Sequence, residues 1–330
     1  MSKIERIWYH GGIGMIPLLP LSWLFRLLIA VRCWLYQRGW LTVNRFSAPL
    51  IVVGNITVGG TGKTPFVIWL THFLRDKGFR PGIVSRGYGG SASQWPQVVM
   101  PESNPAAVGD EAVLLARRCH CPMVVSPNRS DAVKMLLKDF DCDIVIADDG
   151  LQHYAMGRDI EIVIVDGQRR FGNGHVLPAG PLREPITRLK SVDLCVINGE
   201  PQASDEYRMT LTQSSLYNLQ APEKIDELSI FKGKRVHAVA GIGHPEKFFD
   251  LLRTAGIEVV AHSFPDHHAY CADDLNFGDD TPVLMTEKDA VKCVSFTKPD
   301  CWVVVIEMAP ELKAEVRLSA LLKNIDGINN

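Results

Sequence analysis

The sequence predicts an α/β fold: a mainly parallel sheet with helices on both sides, a second and smaller α/β unit after it, and an apolar helix at the N-terminus. Three observations carry this. Beyond Pro49, short β-branched runs alternate with helical stretches, and several runs are continuously apolar, as strands buried on both faces are. A glycine-rich turn ending in Gly62-Lys63-Thr64 separates the first such run from the first helix. Ahead of both, residues 13–35 read IGMIPLLPLSWLFRLLIAVRCWL.

In that N-terminal stretch Pro17 and Pro20 place the helix start near Pro20, because proline is accepted in a first turn and breaks an interior. From there to Gln37 it would run about 27 Å at 1.5 Å per residue. Ser22, Arg26, Ala30, Cys33 and Gln37 fall on one narrow stripe, and nearly every other face is Leu, Trp, Phe, Ile or Val. A transmembrane span would bury Arg26 at roughly 2.5–3.5 kcal/mol, with Arg32 adding more. A signal peptide would need a clean apolar stretch and a small-residue cleavage site, and neither is present. A helix in the membrane interface, with Trp23, Trp34, Tyr36 and Trp40 near the headgroups, fits the aromatic and basic pattern best. The alternative is a buried helix covering a sheet.

Strands are expected at 50–53, 82–85, 123–126, 144–147, 160–165 and 194–197, and helices at 64–77, 110–118 and 130–139. Residues 201–230 are polar and irregular, which marks a boundary. Beyond it, 236–240, 258–261, 283–285 and 302–306 read as strands, 245–255 as a helix, and 273–275 as the start of another. This gives three parts: a membrane-associating helical segment (1–48), a first α/β domain (49–205) and a smaller one (206–330).

The chain has 330 residues, 46% of them hydrophobic and 22% charged, which excludes wholesale disorder and a collagen-like chain. No charge-free run of 18 apolar residues exists, so a polytopic membrane protein is excluded too. The formal net charge of −2 gives no reason to expect nucleic acid. The balance is uneven, though: residues 1–50 hold six basic side chains against Glu5 alone, a local +5 that leaves −7 for the rest. Such asymmetry points to a polyanionic surface as partner. The eight cysteines contain no C-x-x-C pair, so zinc spacing is missing and reduced thiols in a cytosolic compartment are expected.

The main chemical signal runs from Gly54 to Pro65: GNITVGGTGKTP. Strand, glycine-rich turn, Gly-Lys-Thr and helix make the context of a Walker A loop. Its backbone N–H groups turn inward around phosphate at a helix N-terminus. Thr57, Val58, Gly59, Gly60, Thr61, Gly62, Lys63 and Thr64 would bind the nucleotide; Lys63 would reach the β/γ-phosphates and Thr64 would ligate Mg²⁺. Thr57 stands where the usual spacing has glycine. The apolar run 144–147 ends in Asp148 and Asp149, which supply the Walker B acid for the metal. The domain is thus of the P-loop NTPase type.

Gly241-Ile242-Gly243 begins like a dinucleotide fingerprint but has Glu246 at its third glycine position, so it reads as a tight strand-to-helix turn. Asp266 beside His267 reads as an acid–base or orienting unit, and His268 is a second choice for the same role. Arg86 and Arg129 follow strands as site residues of an open α/β sheet do, and guanidinium groups suit phosphate.

Together these segments resemble the tetraacyldisaccharide 4′-kinase family of Gram-negative bacteria. The matching stretches are 54–65, Ser85-Arg86-Gly87-Tyr88-Gly89-Gly90, Gly109-Asp110-Glu111, 148–154 (DDGLQHY), 169–174 (RRFGNG), 178–184 (PAGPLRE), 240–243 (AGIG), Phe264-Pro265-Asp266-His267 and 285–292 (MTEKDAVK). They occur in order from about residue 5 to 307, and Thr57 is itself family-like. The resemblance implies a P-loop kinase domain, a smaller α/β domain and a two-stranded connection, here residues near 207–217 with 302–306. It implies transfer of the γ-phosphate of ATP, with Mg²⁺, to the 4′-hydroxyl of an acylated glucosamine disaccharide 1-phosphate, forming lipid IVA in lipid A biosynthesis. It further implies work at the cytoplasmic face of the inner membrane, with no obligate protein partner evident. In this reading Lys63 and the loop amides stabilise phosphate charge, and Thr64, Asp149 and Asp148 hold the metal. Asp110 takes the hydroxyl proton with His267 assisting from the second domain, so that closure assembles the base. Arg86, Tyr88, Arg129 and Arg183 are substrate-binding candidates. A membrane-associated nucleotide-switch ATPase without an acceptor, and a kinase for a soluble metabolite, are the alternatives.

Overall fold

A computed structural model describes residues 3–296 and 300–326. In chain order its elements are α1 (Lys3–His10), a 3-10 turn (Ile13–Leu18), α2 (Leu19–Gln37), β1 (Leu50–Gly54), α3 (Lys63–Asp76), β2 (Pro81–Ser85), β3 (Gln97–Val98), α4 (Pro105–Val108) and α5 (Asp110–Cys119). Then come β4 (Met123–Val125), α6 (Arg129–Asp139), β5 (Ile144–Asp148), β6 (Ile160–Asp166), β7 (Leu194–Asn198), β8 (Glu206–Asn218) and β9 (Ala221–Glu227). The chain ends with β10 (Arg235–Ala240), α7 (Pro245–Thr254), β11 (Glu258–Ser263), β12 (Val283–Thr286), α8 (Glu287–Cys293), β13 (Cys301–Pro310) and α9 (Leu312–Asp326).

These elements form two compact units. The first takes the chain up to Arg86, Cys121–Thr210 and everything from Ala309 on; the second takes Gly87–His120 and Leu211–Met308. This division differs from 49–205 and 206–330, because α5 packs against α8 while α9 packs on β7 and buries Ala314, Leu318 and Leu322. β8 and β13, neighbours in a sheet, each run from one unit into the other.

In the first unit the strands lie in the order β4-β2-β5-β1-β6-β7, continued by the start of β8, and every pairing is parallel. β1, β2, β5 and β6 are buried along their whole length, which is why their sequences are apolar runs without alternation. Parallel strands present their carboxyl ends on one edge, so the loops after β1, β2, β5, β6 and β7 gather there.

α2 is not the buried cover of a sheet. Only Ser22 of the helix is buried, its Oγ donating to Val176 O at 2.7 Å, and Phe25 packs beside it on Ile56, Val176 and Leu182. Leu21, Trp23, Leu24, Leu27, Leu28, Val31 and Trp34 are exposed. The expected polar stripe is thereby split: Ser22 and the half-buried Cys33 face the protein, while Arg26, Ala30 and Gln37 are exposed. By length and composition Gly14–Gln37 is long and apolar enough to cross a membrane.

The second unit carries β11-β10-β12-β13 in parallel, with β9 antiparallel to β8. Phe248, Phe249, Leu252 and Ile257 cover one face, and Tyr270, Leu275, Met285 and Cys293 belong to the core of the other. Here the expectations need correction. Residues 201–230 hold a hairpin rather than an irregular linker, since nearly all of β9 is exposed and its sequence APEKIDE has no apolar face to show. The helix expected from 273 is one 3-10 turn, Ala272–Leu275. The eight cysteines form no disulfide.

Candidate active site

The phosphate loop joins β1 to α3. Gly62 caps α3 with φ +95°, and a Cβ there would lie 2.6 Å from Asn198 Nδ2, so only glycine fits. Asn198, at the end of β7, donates through Nδ2 to Thr61 O at 3.1 Å. At the first corner Thr57 makes an antiparallel bridge with Leu182, flanked by Val58 N to Pro181 O (2.9 Å) and Arg183 N to Ile56 O (2.7 Å). The backbone there is paired like a strand edge. It needs no left-handed residue, which explains why threonine can replace the usual glycine.

Lys63 opens α3 with its Nζ 3.4 Å from Asp149 Oδ1. Asp149 follows β5 with φ +49° and also takes Arg183 Nη1 on both carboxylate oxygens, at 3.1 and 3.0 Å. Arg129, 7% exposed at the start of α6, donates to Asp149 O at 2.7 Å, and its buried Nε has no protein partner among the described residues. Burial alone would raise the Asp149 carboxyl, but Lys63, Arg183 and Arg129 hold it well below the carboxylate range. Burial, with Arg129, Arg158, Arg32 and Arg86 around it, pushes His153 down to about 4, a second sign that this edge is strongly electropositive. Asp148 is buried and accepts from Ser85 Oγ at 3.4 Å. The first unit thus brings together Lys63, Asp148, Asp149, Arg129 and Arg183, with Arg86 exposed at the end of β2.

Asp110 is the first residue of α5 and 4% exposed. His267 lies in a turn closed by His268 N to Pro265 O, with φ +61°, and its Nδ1 is 3.0 Å from both Asp110 carboxylate oxygens. Both residues belong to the second unit, so the pair is complete within it. Burial works to raise Asp110, yet the bond to His267 and the cations Lys288 and Lys292 leave it lowered; the bond to Asp110 raises His267. His268 turns away to Asp274 Oδ2 (3.0 Å), which separates the two histidines that the sequence left open. The exposed Tyr88 ring leans on His267 with centroids 5.0 Å apart.

Several neighbours were not singled out from the sequence. Arg169 donates to Gly60 O and is held by Asp166; Gln152 donates to Asn55 O and to Glu184 Oε2. Lys288 and Lys292 approach Asp110 from α8. Arg169, Gln152, Glu184 and the two lysines all sit in the matching stretches. Asn198 could have been found from its place at a strand's carboxyl end.

The family model described as tetraacyldisaccharide-1-P 4′-kinase matches residues 15–325. Curated relatives named tetraacyldisaccharide 4′-kinase include one from Nitrosococcus oceani, 49% identical over 98% of this chain and 95% of its own, and one from Methylobacillus flagellatus, 52% identical over 92% and 90%. Among solved structures, LpxK from Aquifex aeolicus, crystallised in complex with ATP, is similar with a TM-score of 0.81 and 29% identity, covering 95% of this chain and 99% of its own. With a phosphate loop and its acids in the first unit and an Asp–His pair in the second, the chain belongs to the tetraacyldisaccharide-1-P 4′-kinase family.

Proposed function

We propose that the protein transfers the γ-phosphate of ATP to the 4′-hydroxyl of a tetraacylated glucosamine disaccharide 1-phosphate, seated by α2 on the cytoplasmic face of the bacterial inner membrane. The observation that carries this is a complete phosphate loop, with Lys63 and Arg183 both paired with Asp149, in a chain matched by a kinase family over residues 15–325. The exposed apolar face of α2 supports a lipid acceptor, since a kinase for a soluble metabolite has no use for it.

The Lys63 ammonium and the loop N–H groups bind the phosphates and stabilise charge as it spreads over the transferred group. Arg183 and Arg129 add fixed positive charge at the same edge, and Arg129 Nε is free to donate to a phosphate oxygen. Arg86 and Tyr88 are exposed and contact the substrate. The donor set Thr64, Asp148 and Asp149 is all hard oxygen, the chemistry that suits Mg²⁺, and these residues would hold it. Held there, it would supply charge neutralisation to the phosphates. Asp110 accepts the proton of the attacking hydroxyl, and His267 fixes its orientation through Nδ1.

The test is transfer of labelled γ-phosphate from ATP/Mg²⁺ to tetraacyldisaccharide 1-phosphate in mixed micelles, with Lys63→Ala and Asp110→Asn in parallel. Label in the lipid, lost in both variants, is the expected result. ATP hydrolysis at a lipid-independent rate with no labelled lipid would overturn the assignment in favour of a nucleotide switch.

A further inference from the structure

The stretch Thr286–Lys292 has no role in the chemistry above, yet it is tied to Asp110 more densely than a surface helix requires. Three of its charged residues reach α5. Glu287 takes Arg118 Nη1 on both oxygens, at 2.6 and 2.8 Å. Lys288 Nζ lies 3.0 Å from Glu111 Oε1 and 3.1 Å from Asp266 Oδ1, the residue before His267. Lys292 Nζ lies 3.6 Å from Asp110 Oδ2 itself and 3.1 Å from Asp289 Oδ1.

Asp289 in turn is anchored. It is fully buried, accepts from Thr286 Oγ1 at 2.6 Å and takes the N–H of Gly241 at 3.0 Å. A Cβ on Gly241 would meet Tyr270 Oη at 2.7 Å and Asp289 Oδ1 at 3.0 Å. Glycine at 241 therefore lets a strand end close on Asp289, which explains a motif that looks like a dinucleotide fingerprint. The Tyr270 ring lies 4.9 Å below the Lys292 ammonium.

We propose that Lys292 and Lys288 are positioning residues for phosphoryl transfer, fixing the Asp110 carboxylate against His267 and setting the pH at which the pair works. Lys292 is the direct one, and Asp289 with Gly241 holds it in place. Lys288 links the two segments that carry the pair, α5 and the 264–268 turn. His267, Lys288 and Lys292 favour the ionised form of Asp110, while Glu111, Asp266 and Asp289, on α5, the turn and α8, are the acids that pair with the two lysines. Removing either lysine leaves the acids less compensated, so the pair titrates higher.

The proposal rests on Asp110 being the base, and the experiment separates the two claims. Rates of transfer to tetraacyldisaccharide 1-phosphate are measured from pH 3 to 9 for the full chain, Lys292→Met, Lys292→Arg, Lys288→Gln and Asp110→Asn. His267 is titrated by NMR in each, and folding is checked by circular dichroism. In Lys292→Met the acid limb of kcat/KM and the His267 titration should both move up by roughly one pH unit. Its kcat should fall about tenfold with KM for ATP unchanged, and Lys292→Arg should recover most of both. Lys288→Gln should move the same limb, and it carries the test if Lys292→Met does not fold. An inactive Asp110→Asn beside lysine variants with parental pH profiles and kcat overturns the positioning role and leaves the base standing. An active Asp110→Asn overturns both.

Discussion

If α2 seats the enzyme on lipid, removing three leucines from its outer face should weaken vesicle binding without disturbing the fold. Leu24, Leu27 and Leu28 are 53%, 58% and 58% exposed. Full burial of a leucine is worth about 1.5–3 kcal/mol, so burying the exposed half contributes about 1 kcal/mol each, about 3 kcal/mol together. That corresponds to about a 100-fold loss of partitioning in the triple variant Leu24→Gln/Leu27→Gln/Leu28→Gln. Glutamine is chosen because its helix propensity is close to leucine's, so α2 itself keeps its stability.

The electrostatic part can be separated by salt. Arg26 and Arg32 on the same helix should add about 1 kcal/mol each toward an anionic surface, and salt screens that contribution. Co-sedimentation with phosphatidylcholine vesicles containing a quarter phosphatidylglycerol, at 0.1 and 0.5 M NaCl, reads both parts. Binding of the folded triple variant within threefold of the parent at both salts would show that this face does not meet lipid.

Three further outcomes are expected. Gly62→Ala should lose ATP binding by calorimetry, because its Cβ would clash with Asn198 Nδ2 2.6 Å away at φ +95°; retained affinity would mean that the loop does not need this turn. Arg118→Met should cost about 3 kcal/mol in urea unfolding, since Glu287, which burial already raises, loses the guanidinium that donates to both its oxygens; a loss under 1 kcal/mol would count against that pair as an anchor of α5. His153 and His262 both have lowered values, with burial the first cause, so these two side chains bind fewer protons in the folded chain than in the unfolded one below about pH 6.5. Their share of the stability should therefore be full above that pH and fall as pH drops from about 6.5 toward 4, while the raised His267 contributes a share that is lost as pH rises above 6.5; His153→Asn should flatten the thermal-melting profile between pH 4 and 6.5.

The strands of the first unit were legible because burial on both faces leaves no alternation to blur them, and β1, β5 and β6 lie within a residue or two of where the apolar runs put them. The phosphate loop was legible because Gly-Lys-Thr between a strand and a helix has one common use. What escaped was set by contacts distant in sequence. β9 pairs through its backbone and exposes most of its side chains, so hydrophobic periodicity does not mark it. The grouping of 87–120 with 211–308 follows from α5 meeting α8, whose ion pairs span 169 and 177 residues. The choice between His267 and His268 depended on a turn that sends the adjacent rings to different acids.

The Asp110–His267 pair raises a question of mechanism, because the structure lowers the acid proposed as the base. A carboxylate held low is a weak proton acceptor, and if proton transfer limited the rate this environment would be costly. Phosphoryl transfer relaxes the demand: with a loose transition state the nucleophile gains little charge until late, so holding the hydroxyl in line counts for more than basicity. A buried Asp110, bonded to His267 on both oxygens and braced by Lys292, is built for that placement. Asp110→Glu then discriminates between the two demands. It keeps a carboxylate of similar basicity but moves its oxygens by about 1 Å, and a misplacement of that size can cost about 100-fold in rate. We expect kcat for lipid phosphorylation to fall by about that factor with KM for ATP unchanged. Retention of a third or more of the parental kcat would mean that charge at this position matters and its placement does not.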